Sequence, residues 1–79
     1  MKHSKYIIFV VEGIETPVLF NPIIRHKDMI IAHWKPVSAG FCYRKDDGNF
    51  HVWGRSESFG IPARPADNDI LNNFIEYDC

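Results

Sequence analysis

Six residues in one short stretch carry the side chains most able to recognise something: Trp53, Arg55, Ser56, Glu57, Ser58 and Arg64. They follow an apolar run and fall in a polar, irregular segment, where binding residues concentrate. Tryptophan, tyrosine and arginine dominate protein–protein hot spots. That makes Trp53, Arg55, Glu57 and Arg64, with Tyr43 as an aromatic neighbour, the candidate partner surface. Two arginines among serines also suit an anion such as a nucleotide phosphate, with Arg55 and Arg64 as its ligands. A purely structural use competes with both: Arg55 would pair with Glu57 or Asp67, and Ser56 and Ser58 would satisfy loop amides.

Other chemistry is poorly supported. A Cys42–His51 pair could meet across a hairpin, and a thiolate next to a base is a nucleophile. No residue pattern marks an oxyanion hole or a third, orienting group. His3, His26, His33 and His51 lack the spacings that chelate zinc, and His26 and His33 are seven residues apart. No metal or cofactor is expected. Gly40, Gly48, Gly54 and Gly60 are scattered singly, so no phosphate-cradling loop exists. Glu12/Glu15 and Asp67/Asp69 read as turn and helix-cap carboxylates rather than acid–base pairs. The expectation is a protein that is not an enzyme.

The elements that must position these residues can be read from periodicity. Tyr6-Ile7-Ile8-Phe9-Val10-Val11 is continuously apolar, as a central strand buried on both faces is. A turn at Glu12-Gly13-Ile14-Glu15 leads to a returning strand, Thr16-Pro17-Val18-Leu19-Phe20, which Pro17 confines to its own start or to an edge. Asn21-Pro22 has the form of a helix start. Ile23, Ile24, Ile30, Ile31 and Trp34 then share a stripe about 120° wide at helical spacing. A helix is expected there, ending before Pro36, although isoleucine does not favour one.

Val37, Ala39, Phe41 and Tyr43 alternate with the smaller Ser38, Gly40 and Cys42, a strand with room for a helix or rings on its small face. Asp47-Gly48 signals a hairpin to a partner strand over residues 50–55, with Phe50 and Val52 on one face and His51 and Trp53 on the other. Residues 58–61 could form a short extra strand. Arg64-Pro65 opens a last helix whose apolar face is Ile70, Leu71, Phe74 and Tyr77.

Together this is one α+β domain over residues 1–79: an antiparallel sheet of about four strands with one or two helices against it. The 79 residues are 46% hydrophobic and 14% aromatic, enough to fold around one modest core. A net charge of −1 argues against a general nucleic-acid binder, and equally against an acidic nucleic-acid mimic. No leader peptide or membrane-length apolar run is evident. Cys42 and Cys79 fit a buried hydrophobe and a terminal thiol, so a reducing cytoplasm is the expected compartment.

The runs Val37-Ser38-Ala39-Gly40-Phe41, Trp53-Gly54-Arg55-Ser56-Glu57-Ser58-Phe59 and Arg64-Pro65-Ala66-Asp67 resemble a family of small bacteriophage and prophage proteins. The family carries no assigned biochemical role, so no residue roles transfer. The resemblance implies an accessory product made in the host bacterial cytoplasm. Proteins of this size in that setting commonly bind and block a host protein, as anti-CRISPR and other anti-defence inhibitors do. Homodimerisation through strand edges and exposed aromatics is compatible with this reading.

Overall fold

Four consecutive residues of the first strand, Tyr6 to Phe9, are wholly inaccessible to solvent. That fixes this strand in the middle of the molecule. In the computed structural model, which describes residues 3–74, β1 (Ser4–Val11) is flanked by β2 (Ile14–Phe20) and β3 (Lys35–Arg44). β4 (Phe50–Trp53) completes an antiparallel sheet of order β2-β1-β3-β4. Gly54 then redirects the chain into a two-stranded hairpin, β5 (Arg55–Ser56) and β6 (Ile61–Pro62). α1 (Ala66–Phe74) follows. The α+β architecture expected from the sequence is the one observed.

Alternation along β1 divides the core. Tyr6 and Ile8 join Cys42, Phe50 and Val52 beneath Leu71 of α1. Ile7 and Phe9 face the other way, with Phe20 and Ala39, under Ile24, Met29, Ile31, Trp34, Phe59 and Ile61. The sheet therefore lies between the helix on one side and, on the other, the irregular segment over residues 21–34 and the β5–β6 hairpin. The small Ser38-Gly40-Cys42 face is the one that lets chain approach closely. A Cβ on Gly40 would lie 2.5 Å from the Trp53 carbonyl and 3.2 Å from the Ala63 Cβ.

Several expectations are corrected. The 22–34 segment is not an α-helix: only a 3₁₀ turn forms, His26–Met29. Ile23 and Ile30 are 83% and 63% exposed, so the apparent helical stripe never becomes one face. Three of its residues, Ile24, Ile31 and Trp34, pack on the sheet from irregular backbone, which the β-branched isoleucines tolerate better than a helix. Val37 does not share the Ala39 face. A bulge opposite Ile8 and Phe9 leaves it between the paired Pro36 and Ser38, and it packs with the helix-side core. The partner strand stops at Trp53, and the short extra strand is Ile61–Pro62 with Arg55–Ser56, residues 57–60 being a turn. The first hairpin turn is tighter than expected. Glu12 and Gly13 take φ of 53° and 80° between paired Val11 and Ile14, as a two-residue turn with positive φ at both positions requires. Tyr77, placed on the apolar face of the last helix, lies outside the described residues.

Both sheet edges are managed. Pro17 sits in the edge strand β2 and offers no donor. On β4, the Phe50 amide donates to Asn72 Oδ1 at 2.8 Å and the Val52 amide to Asn68 Oδ1 at 3.0 Å. The two asparagines are one helical turn apart, so α1 presents them at the spacing of alternate strand residues. The helix thereby closes the edge that would otherwise invite another chain.

Candidate functional site

The register of the β3–β4 hairpin sets Phe41 opposite Trp53 and Tyr43 opposite His51. All four rings project from the face opposite Cys42 and Val52. Phe41 stacks on Trp53 at 5.8 Å, and Trp53 stacks on His51 at 5.8 Å with the planes 17° apart. Tyr43 meets His51 and Trp53 edge-on at 5.6 and 5.7 Å. His3 adds a fifth ring, 6.0 Å from both Phe41 and Trp53. The strip continues inward through His26, 6.1 Å from Phe41 and 5.5 Å from Phe20. Ring pairs of this geometry each contribute about 0.5–1.5 kcal/mol beyond area burial. The surface is thus held in shape before anything binds. Its outer edge stays open: His51 and Trp53 are exposed, Trp53 by 38%.

Gly54 is needed to build it. Its φ of +80° favours glycine, and a Cβ there would meet the Phe41 ring at 2.9 Å.

Arg55 and Glu57 leave the aromatic strip on its loop side. Their charged groups are 3.8 Å apart and their side chains 55% and 88% exposed, a loose pair in water. Ser56 is wholly buried and its Oγ accepts the Phe59 amide at 3.2 Å, which shapes the loop. Arg64 is different in kind. Its guanidinium donates to Asp67 Oδ1 at 3.0 Å and to Glu15 Oε1 at 2.8 Å. Asp67, fully buried, also accepts the Tyr6 hydroxyl at 2.5 Å and the Arg64 amide at 3.0 Å. Asp67 thus ties α1 to β1, and Arg64 extends the tie to the Glu15 end of β2. Burial, then the bond to Asp67, pushes the Tyr6 phenol well above its ordinary range. The bond to Glu15 raises Arg64 further. Trp53, Tyr43, Arg55 and Glu57 belong to one side of the molecule. Arg64 lines a separate open cleft of about 310 Å³ with Val52, Pro65 and Asn68, which Trp53 also lines.

The register does not form the Cys42–His51 pair. Cys42 faces Val52 on the helix side and His51 faces Tyr43 on the open side. Burial pushes the Cys42 thiol up to about 12, so it is a thiol and not a nucleophile at neutral pH. Of the histidines, His26 is buried with Nε2 donating to the Gly40 carbonyl at 3.1 Å, and His33 is exposed at positive φ. His3 and His51 belong to the aromatic strip. Among the described residues, no three His, Cys, Asp or Glu side chains are grouped to hold a metal. No described helix is long and apolar enough to cross a membrane.

Sequence reasoning missed Phe41, His51 and His3 as members of the surface. The signal for the first two was present: carrying both strand alternations across the hairpin puts 41, 43, 51 and 53 on one face. It missed Lys5 and Arg25, which line a small cleft with Arg55 and come from distant parts of the chain. No family model, curated protein or solved structure matches the chain.

Proposed function

We propose that this chain is a non-catalytic binding module. It docks on a host bacterial protein through the β3–β4 aromatic surface and modulates that protein by covering part of it. The observation that carries the reading is the exposed, stacked pair of His51 and Trp53, braced edge-on by the half-buried Tyr43, beside Arg55. Rigid aromatics with an adjacent arginine bring large contact area at small entropic cost. The burial of Cys42 and its separation from His51 support a role without nucleophilic chemistry. The host and phage setting, and inhibition of a defence system within it, rest on the resemblance of residues 37–67 to phage accessory proteins. A nucleotide-binding role through Arg55 and Arg64 has less behind it, because the two arginines line different clefts.

The test is affinity capture from bacterial lysate with the wild-type chain and a Trp53→Ala, Tyr43→Ala double variant in parallel. A stoichiometric protein held by the first and released by the second is the expected result. Equal capture by both would place any partner elsewhere on the molecule.

A further inference from the structure

We infer that the cleft formed by Lys5, Arg25 and Arg55 beside the aromatic strip seats a carboxylate from an acidic segment of the partner protein. This rests on the reading of β3–β4 as the partner surface. Ser58 and the rings of Phe41 and His26 also line it. Glu57 is the one carboxylate among the lining residues.

The three cations are arranged to receive an anion. Lys5 Nζ donates to the Ile24 carbonyl at 2.9 Å. A neutral acceptor fixes the ammonium in place without cancelling its charge, and one such bond uses one of three donors. Arg25 gives its Nε to Asp28 at 3.2 Å in an exposed ion pair, which is weak in water and uses one of five guanidinium donors. Arg55 holds Glu57 only at 3.8 Å, with the acid's side chain 88% exposed. A pair that loose is worth little in water, so an incoming carboxylate can take its place. The imidazole of His26 reports the same field: burial pushes it down, and the charge of Lys5 pushes it further.

Size and position select the ligand. At about 140 Å³ the cleft falls below the roughly 300–1,000 Å³ typical of free small-molecule sites. It suits the end of a side chain carried on a larger body. Phe41 lines it and stacks on Trp53, so a chain lying on the aromatic strip has the cleft within reach. A charged seat beside an apolar anchor would raise the association rate and fix the docking register.

The experiment is an amide-resolved NMR titration of the full chain with a blocked tetraglutamate peptide, with a blocked tetralysine peptide and inorganic phosphate as controls. Tetraglutamate is expected to give saturable shifts at Lys5, Arg25, Arg55 and Ser58 that weaken on going from low to physiological salt. A Lys5→Gln, Arg55→Gln double variant with unchanged amide dispersion should bind it about five-fold or more weakly. Absence of saturable shifts at these amides, an equal response to tetralysine, or saturation by phosphate alone would each overturn the inference. Because the titration needs no partner, its failure is separable from that of the docking reading, which the Trp53, Tyr43 capture decides.

Discussion

Asp67 shows how much one side chain settles in this molecule. It receives the Tyr6 hydroxyl, the Arg64 amide and the Arg64 guanidinium, and none of its surface reaches water. Removing one member of a buried charged network leaves the others desolvated and unpaired. Asp67→Ala should therefore lower unfolding stability by about 3 kcal/mol, read from the urea midpoint. Glu57→Ala should change it by less than about 0.5 kcal/mol. His26 gives the pH dependence. Its native pKa lies below the ordinary 6.5, first because of burial. On acidification the unfolded chain takes up this proton before the native one does. Stability contributed by the neutral imidazole is complete above 6.5 and is lost as pH falls below it toward the native value. The wild-type melting temperature should fall between neutral and mildly acid pH, and His26→Gln should flatten that fall. At this scale the sequence showed which residue types could bind. It did not separate Arg55 from Arg64, because that depends on Glu15 arriving from β2 and on the burial of Asp67 against Tyr6 of β1.

The last helix is legible from its start, Pro65 and two early acids, and from Leu71 in its apolar face. What its polar side does is less obvious. Asn68 and Asn72 look like solvent residues in a linear reading, yet they occupy the outward amides of β4. Asn68→Ala or Asn72→Ala should each cost about 1–2 kcal/mol, because an amide loses its acceptor. The double variant should also self-associate in size-exclusion chromatography, since it reopens a strand edge. A variant as stable as the wild type and eluting at the same volume would show that the edge needs no cover. The strands were legible for a simple reason: period two and the Asp47-Gly48 turn are local signals. The 22–34 segment was not. Its isoleucines match a helical period, but whether they pack from a helix or from irregular chain depends on the sheet beneath them. The bulge that reverses Val37 is likewise a property of pairing with β1, not of β3 alone.

The whole molecule divides its labour by face. One face of the sheet is sealed by α1 and its Asp67 and asparagine ties. The other is covered over β1, β2 and the first half of β3 by residues 21–34 and the β5–β6 hairpin, and left open at the β3–β4 hairpin. A net charge of −1 conceals a local cluster of three cations beside the open strip. Composition therefore argued against a broad polyanion-binding surface without revealing a small cationic cleft. Which aromatics line the open strip was implicit in the alternation, but which part of the sheet stays uncovered follows only from where residues 21–34 and 57–62 settle.

The most direct test of the docking surface is the affinity of the captured partner for the wild-type chain and for Trp53→Ala, with the melting temperature of each protein measured alongside. Truncating a central tryptophan at a hot spot costs at least about 2 kcal/mol, roughly thirty-fold in affinity. A loss of that order with an unchanged melting temperature is the predicted result. Unaltered affinity, or a loss that appears only with a collapse in melting temperature, would contradict the assignment of the β3–β4 aromatic strip as the partner surface.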